Sequence, residues 1–429
     1  MKARLLAGLR LAAAGAAPFL LAELALRVAG WQPPADPYFA GFSEAAPIFA
    51  AADGVLAVAP EHRRTWRAEA FPAQPEPGAL RIFSVGDSVT WGHRGNEFPD
   101  ALLSYSEALQ GLLRRRVPGG PHRVVNCGAR TFSTGRMAQV AAEVLGYAPD
   151  AVIAYAGTSA HLEGKLREEL RRRQAWKPRW FWNLRLVQAL VALMRPPSPG
   201  LALARLRERD PALRASFVGP DSILSGPDES DRLVARARSD LEGLIRLCRS
   251  RKVPLILATV PANLRFAPFA TRFADDKARA EGEAAIRRAG ELLAAGRARE
   301  ALALAEAMSA AHPEAAGLHF RLAQAREKLG DLAGAAKSYR AARETDACPA
   351  RALESFNRMV RRLADGRPGV WLADLEGLFE AAVPDHIPDD RLFLDQCHPK
   401  PEAHRLMAEE LFRVLGRAGL LRASARAGR

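Results

Sequence analysis

The chain has 429 residues, 48% apolar and 26% charged, with 62 Lys+Arg against 48 Asp+Glu and a formal charge of +14. That balance describes a folded chain of two or three domains and excludes an intrinsically disordered one. No uninterrupted apolar run reaches 18 residues, which argues against a multi-pass membrane protein. Cys127, Cys248, Cys348 and Cys397 are spaced too widely and irregularly for a disulfide framework or a zinc pattern. The net charge suits an anionic partner. With no nucleic-acid motif present, an acidic polymer or a membrane surface ranks above nucleic acid.

At the N-terminus, Lys2, Arg4 and Arg10 precede the charge-free stretch LAAAGAAPFLLA, Leu11 to Ala22. Twelve uncharged residues suit the apolar core of an export signal, and residues 1–31 as a whole read as an export segment retained as an anchor. Basic residues ahead of the segment hold that end in the cytoplasm and send the rest across, which places the remaining chain on the periplasmic side. The competing reading is a surface amphipathic helix on a cytosolic protein. Residues 32–78 are proline-rich and lack long periodic stretches, as expected of a linker or wrapping segment.

Five short apolar runs then read as buried strands: ALRIFSVG (79–86), HRVVNCG (122–128), DAVIAYAG (150–157), VPLILATV (253–260) and GVWLADL (369–375). Helical patterns at 100–116, 134–147, 231–250 and 401–418 separate or follow them. Strands alternating with helices predict an α/β fold, a parallel sheet with helices on both faces. In such sheets the site lies beyond the carboxyl ends of the strands.

The chemistry-bearing residues fall where that rule puts them. The first strand runs into GDSVTWG, which places Ser88 at a strand-to-helix turn behind Gly86 and Asp87. Far along the chain, FLDQCHPKPEAH holds Asp395 and His398 three residues apart, directly before an amphipathic helix. A nucleophilic serine needs a neighbouring base, and the base needs an acceptor that orients its other nitrogen. An Asp-x-x-His turn supplies base and acceptor from one local piece of chain.

On these residues the chain resembles the SGNH/GDSL hydrolases, a superfamily of esterases, lipases and O-acyltransferases. The resemblance covers 80–161, 253–265 and 369–415, and it implies a flavodoxin-like three-layer α/β/α fold. GDSVTWG resembles the first family block, which implies Ser88 as nucleophile. NCGARTFST (126–134) resembles the second, which implies the Gly128 amide as an oxyanion donor beside the Ser88 amide. DQCHP resembles the last, which implies Asp395 as orienting acid and His398 as base. The third block departs from the family pattern. Where the family has Gly-x-Asn, this chain has AGTSAH, so Gly157 is present and Ser159 stands in place of the asparagine donor. A lost oxyanion donor costs on the order of a hundredfold or more in turnover. His161 could substitute for it.

The fourth strand ends in VPANLRFAPF, which resembles a Val-Pro-x-Asn-Leu segment in membrane-anchored members that also carry tetratricopeptide-type helices. Asn263 could supply the missing amide and Arg265 could bind an anionic substrate. The plain alternatives are a loop-bonded Asn263 and a solvated Arg265. Asp87, Asn263, Arg265 and His161 therefore stand as further candidate contacts to substrate or oxyanion. Cys127 and Cys397 adjoin site residues and read as small packing residues.

Two inserts complete the chain. Glu163–Arg195 carries nine Lys+Arg against three Glu, with Trp176, Trp180, Phe181 and Trp182 among them. It opens an insert over 163–230 that reads as an active-site lid, a surface contact to bilayer or sugar polymer, or both. Segments from Gly296 and from Gly330 recur at a spacing of 34, with Ala301 matched to Ala335 and Met308 to Ala342. That period resembles the tetratricopeptide repeat and predicts an all-α insert over 277–348. Two units are too few to stand alone, so the insert must pack on the body or on a protein partner. The body is then 79–265 and 349–420, with a basic tail at 421–429.

The sequence thus predicts an exported, membrane-anchored serine esterase or O-acyltransferase with no metal or organic cofactor. The family resemblance implies acetyl or other short acyl groups on a carbohydrate or cell-envelope polymer. The rival is a non-catalytic scaffold on the same fold that organises an envelope polysaccharide assembly through the repeats. The missing asparagine favours the rival; Ser88, His398 and Asp395 together favour the enzyme.

Overall fold

The computed structural model describes residues 15, 17–31, 47–62, 66–92, 104–118, 120–129, 132–157, 184–194 and 226–421. The chain divides into two compact units, one from Met1–Ala45 with Lys165–Ser216, the other from Ala46–Gly164 with Phe217–Arg429.

In the first unit residues 17–28 are helical, and a second helix runs over Arg185–Met194. The Glu23 carboxylate accepts from the Leu186 amide at 2.8 Å and pairs with Arg27 at 2.7 Å. Phe19, Leu20, Leu21, Leu24 and Val28 are exposed, as is Leu193. Among the described residues no helix is long and apolar enough to cross a membrane. The start of the anchor segment, most of the basic aromatic insert and the basic tail beyond Leu421 lie outside the described residues.

Among its described residues the second unit holds eight strands. Three are short and antiparallel: β1 (Phe49–Ala52), β2 (Val55–Val58) and β3 (Ala70–Pro72), in the order β1-β2-β3. They occupy the stretch read from sequence as a linker or wrapping segment. The overlooked signal is Asp53-Gly54, both at positive φ (49° and 75°), a two-residue turn whose twist suits a hairpin. Phe49 and Phe71 from this small sheet pack edge-on at 5.0 Å, and Phe71 meets Phe83 of the main sheet at 5.3 Å.

The main sheet is β4 (Arg81–Gly86), β5 (Arg123–Gly128), β6 (Ala151–Tyr155), β7 (Leu255–Ala258) and β8 (Val370–Ala373), all parallel, in the order β5-β4-β6-β7-β8. Counted along this sheet the order is 2-1-3-4-5, the flavodoxin-like doubly wound arrangement. Each strand matches a run seen in the sequence. Every residue of β4, β6 and β7 is buried, as a sheet covered on both faces requires.

Besides the helical stretch at 17–28, the α-helices of the described residues are α1 (Ser88–Trp91), α2 (Tyr105–Arg116), α3 (Thr134–Val144), α4 (Arg185–Met194, in the first unit), α5 (Pro227–Ser250), α6 (Asp276–Ala294), α7 (Ala298–Ala311), α8 (Ala316–Lys328), α9 (Leu332–Glu344), α10 (Glu354–Ala364), α11 (Leu375–Ala381) and α12 (Pro401–Arg417). Helix α12 packs with α2 and α11, while α5 packs with α3 and α10, so the sheet lies between two helical layers. This is an α/β fold of three layers.

Helices α6–α9 form the all-α insert between β7 and β8. Gly296 and Gly330, at φ 74° and 84°, turn the chain into α7 and α9, which is the structural meaning of their spacing. The matched residues Ala301 and Ala335 are both fully buried, small enough for close helix approach. The insert is seated on the body: Phe320, Ala323, Ala335, Ala336, Tyr339 and Ala342 form one core cluster with Leu264 and Ile387. Leu264 leaves β7 and Ile387 precedes the Asp395–His398 segment, so the insert braces the loops at the functional end of the sheet.

Candidate active site

At the end of β4 the chain turns sharply into the four-residue helix α1. Gly86 is required there, because a Cβ would lie 2.2 Å from the Tyr155 carbonyl oxygen and 2.1 Å from Thr90 Oγ1. Asp87 is the N-cap of α1: its Oδ1 accepts from the Val89 amide at 3.0 Å and its side chain is fully buried. It works as a cap beneath Ser88 and offers no face to a substrate. Ser88 opens the helix with its hydroxyl beyond the sheet's carboxyl end.

A buried polar network holds α1 from below. Asn126 Nδ2 donates to the Thr90 carbonyl at 2.6 Å. The Tyr105 hydroxyl lies 2.7 Å from Thr90 Oγ1 and accepts from Ser84 Oγ at 2.9 Å. Arg67 Nη1 donates to the Trp91 carbonyl at 3.1 Å. None of Arg67, Tyr105 and Asn126 was evident as a site residue from sequence. The only signal was Asn126 within HRVVNCG, a polar side chain where a buried strand leads to expect an apolar one.

The acid and base arrive on the loop between α11 and α12. Asp395 Oδ1 accepts from the backbone amides of Cys397 and His398, at 2.9 and 2.8 Å. Its Oδ2 lies 2.7 Å from His398 Nδ1, and His398 Nε2 lies 2.9 Å from Ser88 Oγ. The Leu394 amide donates to the His398 carbonyl at 2.9 Å and closes the turn on itself. Pro401 then starts α12, where its missing N–H costs nothing.

Burial alone would push the Asp395 carboxyl up, but the bonds from His398 and from the two amides hold it below the ordinary carboxylate value. Burial likewise disfavours a charged His398, yet the Cys397 sulfur and the Asp395 carboxylate outweigh it, and the imidazole pKa is raised well above the usual histidine value. Burial pushes the Cys397 thiol up. Its Sγ lies 3.7 Å from His398 Nδ1, and the buried side chain packs against the imidazole.

The remaining candidates are placed differently from the sequence expectation. The Gly128 amide hydrogen is bonded to Asn126 Oδ1 at 2.9 Å, so it is committed away from an oxyanion. The glycine is needed for space, since a Cβ there would lie 2.2 Å from the Trp91 amide nitrogen. Asn263 is buried at 1% exposure, and its amide donates to Asp390 Oδ1 (2.7 Å) and to the Asp395 carbonyl (3.2 Å). It is therefore not the missing oxyanion donor. Arg265 is only partly exposed and its charge is already matched: Asp389, Glu327 and Asp385 surround it at 2.6, 2.8 and 2.9 Å. Ser159 and His161 lie outside the described residues. Among the described residues, Asp395, Cys397 and His398 alone bring three metal-capable donor atoms within 4.8 Å of one another; there the carboxylate and imidazole are spent on each other.

No protein-family model and no curated protein matches the sequence. Solved structures do resemble the chain. AlinE4, described as an SGNH-hydrolase family esterase, is similar at 18% identity and TM-score 0.23, over 44% of this chain and 62% of its own, less than two thirds of its length. The acetyl xylan esterase AlAXEase is similar at 11% identity and TM-score 0.34, over 78% of this chain and 98% of its own. A catalytic mutant of Axe2, an acetylxylan esterase from Geobacillus stearothermophilus, is similar at 14% identity and TM-score 0.36, over 80% and 96%.

Proposed function

We propose that this protein is a serine esterase or O-acyltransferase of the SGNH kind, acting on acyl esters, acetyl first, of a carbohydrate or cell-envelope polymer. The observation that carries the reading is the continuous relay from Ser88 Oγ through His398 to Asp395 at the carboxyl end of a flavodoxin-like sheet. Ser88 attacks the ester carbonyl while His398 Nε2 takes its proton. Asp395 holds Nδ1–H, which fixes the tautomer and stabilises the imidazolium. His398 then protonates the leaving alkoxide, and the acyl-serine passes to water or to a sugar hydroxyl activated by the same base. The Ser88 amide is one oxyanion donor, and Ser159 is the second candidate.

The substrate class follows the family resemblance. An N-terminal anchor holding the site outside the cytoplasm is the location that fits such a substrate, and the helical insert offers a protein partner a surface. The scaffold reading draws on one specific observation: the Gly128 amide expected in the oxyanion hole and the Asn263 amide offered as its alternative donor are both engaged elsewhere. A scaffold has no need of an aligned relay, so the enzyme is the better reading.

The test is acetate release from an O-acetylated polysaccharide, beside p-nitrophenyl acetate and p-nitrophenyl octanoate. Turnover of the acetyl esters by wild type and not by Ser88→Ala is expected. Failure of the folded protein to turn over any of the three favours the scaffold.

A further inference from the structure

We infer that Asn263 is a positioning residue that straps the segment bearing Asp395 and His398 to the exit of β7. The inference rests on the esterase reading above for its kinetic consequence and on geometry for the rest.

The Asp395–His398 turn is internally closed by its own bonds, so it moves as one piece. Bonds from outside the turn must set its place relative to Ser88. Several of these come from two adjacent residues. The Asn263 amide nitrogen donates to the Gln396 carbonyl at 3.1 Å, and the Leu264 amide to the Pro388 carbonyl at 2.8 Å. The Asn263 side chain adds the bonds to Asp390 Oδ1 and to the carbonyl of Asp395 itself. A carboxamide has two N–H hydrogens, and both are used here. The reverse orientation would set its carbonyl oxygen against the Asp390 carboxylate, so the orientation of the amide is fixed. Asn263 is itself held: Arg351 Nη1 donates to its carbonyl at 2.9 Å and to that of Phe266 at 2.8 Å. Arg265 extends the strap by bonding Asp385, Asp389 and the Ile387 carbonyl, and it ties them to Glu327 of α8. The strap therefore runs from the helical insert through the β7 exit to the acid–base turn.

Among the described residues, the His398 ring meets the Asp395 carboxylate, the Cys397 thiol and the Ser88 hydroxyl. Loosening the strap lets Asp395 and the imidazole drift from Ser88, and misplacement of about 1 Å can cost roughly a hundredfold in rate.

The experiment compares wild type, Asn263→Ala, Asp390→Ala and Asp390→Asn. It measures kcat and KM for p-nitrophenyl acetate and the titration of the His398 ring by NMR. Asn263→Ala should lower kcat by about ten- to a hundredfold at nearly constant KM. It should also move the His398 midpoint down towards the ordinary value. Asp390 is on the surface, and both of its variants remove the same charge. Asp390→Ala should move both readouts in the same direction, less far, and Asp390→Asn, which keeps an acceptor for Asn263, should restore them. A kcat loss in Asn263→Ala with an unmoved His398 titration would overturn the inference in favour of a direct oxyanion donor. Unmoved readouts in both Asn263→Ala and Asp390→Ala would overturn it outright. If Asn263→Ala does not fold, the difference between Asp390→Ala and Asp390→Asn decides. If wild type turns over no ester, the esterase reading fails separately, and the NMR titrations still decide the role of Asn263.

Discussion

Replacing His398 with alanine is expected to lower kcat for ester hydrolysis by about 10⁵- to 10⁶-fold, the scale seen when a serine triad loses its base. Ser88 Oγ has His398 Nε2 at 2.9 Å as its partner in the structure. Without the imidazole the hydroxyl must surrender its proton to water, and the leaving alkoxide loses its acid. The turn itself should survive, because the bond into Asp395 Oδ1 comes from the backbone amide at position 398. The double variant Ser88→Ala/His398→Ala should be no worse than either single one, since the residues act as a unit. Kinetics on purified variants, with thermal unfolding as the control for folding, check both statements. A loss under tenfold, or losses that multiply in the double variant, would remove His398 as the base.

Asp395→Asn is the second large effect, a fall in kcat of about 10⁴-fold with the fold unchanged. The asparagine keeps an oxygen for the amides of Cys397 and His398, but it sets an N–H₂ donor against Nδ1 and so imposes the wrong tautomer. The pH profile gives an independent readout. The base works only as neutral imidazole, so the rate rises with pH as the imidazolium loses its proton. With the His398 pKa raised by its surroundings, that rise in wild type should be centred above about 6.5, the ordinary histidine value. In Asp395→Asn the rise should move to lower pH, because the carboxylate that favours the charged ring is gone. A midpoint that stays in place would mean that Asp395 does not govern the ring.

How much of this could be read in the sequence depended on whether the deciding contact was local. The five parallel strands were legible because each is a short buried run, and Ser88, Asp395 and His398 were legible because GDS and DxxH are local arrangements. The order of the strands was not, since nothing in a buried run says which neighbour it pairs with. Arg265 was read as an anion contact or a solvated arginine because it leaves a strand at the functional end. Its actual partners Glu327, Asp385 and Asp389 lie 62, 120 and 124 residues further along, and no spacing rule reaches them. Gly128 shows a subtler failure. The motif suggested a free amide, while the structure uses the glycine for its missing side chain and spends the amide on Asn126. The small antiparallel sheet was marked by Asp53-Gly54, a turn signal overshadowed by the prolines around it.

Whether Ser88 is an activated nucleophile is decided by covalent labelling with a fluorophosphonate probe. One adduct per chain is expected, mapped by mass spectrometry to Ser88, absent in Ser88→Ala and strongly slowed in His398→Ala. A folded wild-type protein that stays unlabelled, or an adduct that persists in Ser88→Ala, would contradict it.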